Sequence, residues 1–164
     1  HGGAMTHPDW IPKPACRVVL VTGPAGGGKT TYCKQQAKAR DVIVDLDDCF
    51  QMVCGVHGHD ADRESLRPAL RVRNKMLAQL SHRSRGTAYV IVSAPTKQEV
   101  QWWRDMLNAE HKMIRPDIQE IARRGLRADR LAIARKWFHA EAVGKWEAPE
   151  ARRKVGLDGY YVAP

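Results

Sequence analysis

Apolar residues along the chain come in short β-branched runs separated by stretches with helical spacing. Arg17-Val18-Val19-Leu20-Val21-Thr22 ends in glycines, the pattern of a strand covered on both faces. Residues 29 to 39 predict a helix, and Val42-Ile43-Val44, closing in Asp45-Leu46-Asp47-Asp48, predicts a second buried strand. A short helix over 48–54 breaks at Gly55, and the small, polar segment from Gly55 to Asp62 is a loop. Pro68 suits the first turn of the next helix, whose apolar positions Ala69, Val72, Met76 and Leu80, with Leu70 and Leu77, recur at helical spacing to about residue 82. Ser84-Arg85-Gly86 stops that helix, and Tyr89-Val90-Ile91-Val92 is a third buried strand. Thr96, with Glu99 three residues later, forms a capping-box signature for a helix through Leu107. His111 to Ile114 predicts a fourth strand, Pro116 opens a helix to Arg124, Gly125 breaks it, and a last helix runs from about Ala128 to Val143. Strands alternating with helices imply right-handed crossovers and a parallel sheet of four to five strands between helical layers, an α/β three-layer sandwich.

At 164 residues the chain is long enough for one domain that buries about 70% of the surface its unfolded state exposes. That domain is expected over 17–143. Residues 1–16 form a lead-in broken by Pro8, Pro12 and Pro14, with His1-Gly2-Gly3-Ala4 ahead of Met5 reading as a tag remnant, and 144–164 form a tail carrying Trp146, Tyr160 and Tyr161. The longest apolar run, Val18 to Val21, falls far short of the roughly 18 residues that cross a bilayer, so no membrane partner is expected. A net charge of +9 makes a polyanion such as nucleic acid a plausible partner. Cys16, Cys33, Cys49 and Cys54, in a chain where no secretory signal is recognisable, predict reduced thiols and a cytoplasmic location.

Gly23-Pro24-Ala25-Gly26-Gly27-Gly28-Lys29-Thr30, followed by Thr31, satisfies G-x-x-x-x-G-K-[ST] at every fixed position, between a predicted strand and a predicted helix. Such a loop turns its backbone N–H groups toward an anion, and the helix N-terminus adds its positive dipole end. Lys29 is then expected to reach the β- and γ-phosphates of a nucleotide such as ATP, and Thr30 to supply an oxygen to Mg2+. The second strand ends in Asp45, Asp47 and Asp48, and ligands of open α/β sheets bind beyond the carboxyl ends of the strands. Alternation along that strand would set Asp45 and Asp47 on one side. Asp47 is the candidate base toward a substrate hydroxyl and Asp45 a magnesium partner; the alternative for Asp47 and Asp48 is a helix N-cap. The third strand ends in Ser93-Ala94-Pro95, without the acidic pair of a motor ATPase, which favours transfer to a hydroxyl over hydrolysis.

Between residues 63 and 85 the chain is locally +6. Arg67, Arg71 and Asn74 share a helical face away from the apolar stripe and could track the phosphates of a polymer, a solvated face being the alternative. Arg123, Arg124, Arg127 and Arg130 surround Gly125, a hinged segment that could close over the nucleotide and neutralise charge on the transferred group. Cys49, Cys54, His57 and His59 match no standard zinc spacing, which leaves the cysteines as core residues of a short helix. Trp102 and Trp103, adjacent on a helix, are not both expected to face the core.

On these motifs the chain, over residues 17 to about 140, resembles the kinase domain of bacteriophage polynucleotide kinase and related small P-loop kinases. The resemblance rests on Gly23 to Thr31, on Val44-Asp45-Leu46-Asp47-Asp48 and the His/Asp/Arg loop over 57–63, on Val90-Ile91-Val92-Ser93, and on the arginines near 123–130. It implies a P-loop fold with an arginine-bearing helical lid, use of ATP and Mg2+, and Asp47 as general base, with Lys29 and one or more of Arg124, Arg127 and Arg130 stabilising charge. In that family an arginine three residues beyond the base assists; here the position is Phe50. The implied activity is transfer of a γ-phosphate to a nucleic acid hydroxyl, most simply a polynucleotide 5′-OH, without the phosphatase of the bifunctional enzymes, in a bacterial or phage-infected cell. A hydroxymethylated base of phage DNA, a small molecule or nucleotide as acceptor, and a non-catalytic nucleotide-dependent binding module are the alternatives.

Overall fold

The computed structural model describes residues 11–56 and 63–147. Strand β1 (Arg17–Thr22) leads through the glycine-rich loop into α1 (Lys29–Gln36), then β2 (Val42–Asp45), α2 (Leu46–Cys54), a short 3-10 turn (Arg63–Ser65), α3 (Leu66–Gln79), β3 (Thr87–Ile91), α4 (Lys97–Leu107), β4 (Glu110–Met113), α5 (Ile118–Arg123) and α6 (Ala128–Val143). The four strands form one sheet in the order β2-β3-β1-β4. Every neighbouring pair is parallel, with Val19 opposite Tyr89 and Glu110, and Asp45 opposite Ile91. The expected parallel α/β architecture is therefore present.

β1 is apolar on both sides because both sides are covered. Val18 and Leu20 join Val44, Val90 and Val92 in a core completed by Leu77 of α3 and by Trp102, Trp103, Met106 and Leu107 of α4. Val19 and Val21 face the other way, with Tyr89, Ile91 and Cys33 of α1. A third cluster joins α2 to α3 through Leu46, Cys49, Phe50, Ala69 and Leu70. Burial holds the Cys33 thiol up at about 12 and the Cys49 thiol up at about 11.

Several boundaries and faces depart from expectation. α1 ends at Gln36, not near 39, because Ala37 leaves the helix with φ −68° and ψ 132°. α2 begins at Leu46, two residues early, since Asp45 is its N-cap and accepts the Asp47 N–H; neither Asp47 nor Asp48 caps it. Cys54 is exposed, so of the α2 cysteines only Cys49 is a core residue. Trp102 and Trp103 are both buried, edge-to-face at 5.2 Å. One helix can hide two adjacent tryptophans because it is covered on two flanks: Trp103 lies beneath the Arg73 guanidinium of α3, and Trp102 meets Trp146. Asn74, expected beside Arg67 and Arg71 on the solvent face, is buried, whereas those arginines are exposed. Trp146 fastens the residues after α6 onto the main core. Tyr160, Tyr161, His57 and His59 lie outside the described residues.

Candidate nucleotide and phosphate-transfer site

The loop between β1 and α1 is shaped by glycines where no other residue fits. Gly23 has φ +147°, and a Cβ there would sit 2.0 Å from the Ile114 carbonyl oxygen; at Gly26, φ +73°, it would sit 2.5 Å from Leu126 Cδ2. Gly28 caps α1 in the left-handed region with no side-chain cap, and the first turn holds no acidic residue. The N–H groups at the start of α1 thus remain available to an anion. Lys29 Nζ donates to the Gly23 carbonyl at 2.6 Å. Burial pulls Lys29 down to about 8, partly offset by the charges of Asp45 and Asp47.

Asp45 and Asp47 do come together, although not by strand alternation. β2 stops at Asp45, the chain turns into α2, and the Asp47 N–H donates to Asp45 Oδ1 at 3.1 Å. A helix N-cap carries its carboxylate back toward the first turn, which sets the two side chains on one site. The Thr30 hydroxyl donates to Asp45 Oδ2 at 3.4 Å, so a hydroxyl and a carboxylate oxygen stand where one hard cation could take both. Burial, reinforced by the neighbouring carboxylates Asp47 and Asp48, pushes Asp45 up to about 6. A buried carboxylate short of positive charge fits a divalent cation such as Mg2+. Among the described residues no cluster of three His, Cys, Asp or Glu side chains has metal-binding geometry, and Cys49 instead meets Met76 Sδ while Cys54 donates to the Phe50 carbonyl.

A cavity of about 900 Å3 joins these groups. The glycine-rich loop, Lys29, Thr30, Thr31, Asp45 and Asp47 form one part of the lining; Ile91 at the end of β3 and Val92, Ser93 and Pro95 just beyond it form another, and Ile133, Lys136, Trp137 and Ala140 of α6 complete it. α6 is tied down by Trp137, whose indole N–H donates to the Ser93 carbonyl at 2.6 Å, the same oxygen that accepts the Gly23 N–H. Ala94, buried at φ +36°, turns the chain here from β3 toward α4.

Of the four arginines around Gly125, Arg124 and Arg130 line this cavity. Arg124 donates to the Gly26 carbonyl at 2.7 Å, and the charge of Arg130 bears on Lys29. Arg127, expected among the charge-stabilising arginines, is outside the lining because it precedes α6 and its guanidinium turns to Asp129 at 2.9 Å. Arg123 also lies outside it. Among the lining residues that sequence reasoning missed, Arg73 and Glu99 are charged and buried. In the sequence Arg73 contributes only to the local charge between residues 63 and 85, and Glu99 only to a cap; in the fold both line the cavity. The Thr96 side of that cap is real, its hydroxyl accepting the Glu99 N–H.

A family model described as an AAA domain matches residues 18–132. The chain belongs to this family. The expected likeness to P-loop kinases therefore holds for family and fold. No curated protein matches the sequence. Among solved structures, a chain in the Pnkp1/Rnl/Hen1 RNA repair complex is similar in fold, with a TM-score of 0.54 and 15% identity over 91% of this chain. This chain spans 45% of that one. No described helix is long and apolar enough to cross a membrane.

Proposed function

We propose that this protein is an ATP-dependent, magnesium-requiring kinase that transfers the γ-phosphate to a hydroxyl of a nucleic acid, most simply a polynucleotide 5′-OH. The observation that carries the reading is the convergence, in one cavity, of an anion-binding loop with Lys29, the Asp45–Thr30 oxygen pair and the Asp47 carboxylate. The loop N–H groups and Lys29 would hold the β- and γ-phosphates, and Thr30 and Asp45 would hold Mg2+. When bound, that ion neutralises charge on the phosphates. Asp47 would orient the acceptor hydroxyl and take its proton, while Arg124 and Arg130, poised at the loop side, balance charge on the phosphoryl group in flight. The acidic pair needed to drive a motor is missing after β3, and the Asp47 carboxylate beside the loop supports a hydroxyl as nucleophile.

For a nucleic acid acceptor the support is the net charge of +9, the exposed Arg67 and Arg71, and the fold likeness to a chain of an RNA repair complex. The test is transfer of labelled γ-phosphate from ATP with Mg2+ to a panel of 5′-OH DNA, 5′-OH RNA, hydroxymethyl-containing DNA, nucleosides and sugars. Label on 5′-OH ends alone is the expected result. Label on nucleosides or sugars with oligonucleotides no better would replace the acceptor, and ATP binding with no labelled product would remove the kinase reading.

A further inference from the structure

We propose that Arg73 and Glu99 recognise the phosphate acceptor, Arg73 donating to an oxygen or ring nitrogen on an uncharged part of it and Glu99 accepting from an adjacent N–H or O–H. The proposal rests on the kinase reading and names the substrate chemistry of that same site. Both residues line the cavity that holds Lys29 and Asp47. They reach it from α3 and α4, the helices on the opposite face of the sheet from α1. Donor and acceptor groups thus enter the cavity from neighbouring helices of one layer.

Arg73 is 2% exposed, and its guanidinium lies 5.2 Å from the Trp103 ring centroid. One nitrogen, Nη2, donates to Asn74 Oδ1 at 3.3 Å, while the Nε–H has no hydrogen-bond partner among the described residues. A desolvated guanidinium with an unmet N–H is costly and uncommon in a packed interior. Stacking on Trp103 holds its plane while donor capacity stays unspent, as a preorganised recognition group requires. Burial also pulls its pKa down to about 10, and Glu99 is one of the charges that opposes this fall.

Charge balance selects an uncharged ligand. Glu99 sets a carboxylate close enough to Arg73 for its charge to act on the guanidinium, so an added anion would meet repulsion as well as attraction. A paired donor and acceptor instead complement a neutral edge that carries both functions. A nucleobase and a polyol each offer such an edge, and Phe50 supplies an apolar wall beside it. For a polynucleotide end, the terminal base would occupy this pocket and the chain's phosphates would stay outside.

The first experiment compares steady-state transfer by the wild type, Arg73→Gln, Arg73→Lys and Glu99→Gln, using 5′-OH dinucleotides with each of the four bases first, free nucleosides and sugars. Loss of a charged hydrogen bond should raise the acceptor KM by about 10- to 100-fold in Arg73→Gln, leave KM for ATP unmoved, and be partly restored in Arg73→Lys. Glu99→Gln should flatten the wild-type preference among acceptors. A fall in thermal midpoint with acceptor KM and preference unchanged would mean a purely structural role and overturn the proposal. The second experiment follows the Arg73 Nε–H by 15N NMR, assigned by its loss in Arg73→Lys, in protein saturated with Mg2+ and a non-hydrolysable ATP analogue. A shift with thymidine but not glucose supports a base edge, and the reverse supports a polyol. A resonance unmoved by both overturns the proposal even if phosphate is transferred; a shift without any labelled product keeps the pocket and removes the kinase reading.

Discussion

Asp47 sits in the first turn of α2 with its N–H already used by Asp45, so its carboxylate is the part of the residue left for chemistry. Replacing it by Asn keeps size and the backbone bond while removing the basic oxygen. Asp47→Asn should therefore lower transfer by about 100- to 10,000-fold with ATP affinity near normal, measured by γ-phosphate transfer beside a nucleotide titration. Lys29, pulled down to about 8 by burial, is part neutral at that pH, and an incoming triphosphate favours its charged form. Asp45, pushed up to about 6, is driven to ionise by a divalent cation. The signs are opposite: Mg-ATP binding should take up protons near pH 8, where Asp45 is already ionised, and release them near pH 6, where Lys29 is already charged. Calorimetry in buffers of different ionisation enthalpy reads both signs.

At the scale of elements, Asp45 has two duties, because it caps α2 and shares an oxygen site with Thr30. Asn is as good an N-cap as Asp but a poorer cation ligand. Asp45→Asn should keep wild-type thermal stability and require much more Mg2+ for transfer, whereas Asp45→Ala should also lose about 1 kcal/mol of stability; thermal melts and a Mg2+ titration separate the two. Gly23→Ala faces the Ile114 carbonyl and a positive φ at once. It should cost more than about 2 kcal/mol in stability and weaken nucleotide binding with it, read by denaturant unfolding. The phosphate loop was legible beforehand because a single turn of contiguous residues builds it. The route by which Asp45 and Asp47 meet was not, since strand alternation and an N-cap bring together residues of the same spacing and only the last paired residue of β2 distinguishes them.

For the whole molecule, the distribution of charge matters more than its sum. Exposed Arg67 and Arg71 lie on α3, the helix that also carries the buried Arg73 and Asn74. If they meet a nucleic acid backbone, binding of a 5′-OH single strand should weaken with salt, with a log-log slope of about −0.7 per phosphate contact. Arg67→Gln with Arg71→Gln should make that slope shallower by about 1.4 and leave ATP affinity alone. A slope unchanged by the pair would assign these arginines to solvent. From the sequence by itself came the alternation of strands and helices, the phosphate loop with its lysine, and the acidic end of the second strand, because each is written in contiguous residues whose local geometry carries the chemistry. Only the tertiary structure decided which arginines face the cavity, that Trp102 and Trp103 are both buried, and that Arg73 and Glu99 line the same cavity as Asp47. Those outcomes depend on which helix covers which, and helical spacing reports that a face exists without naming the element that packs on it.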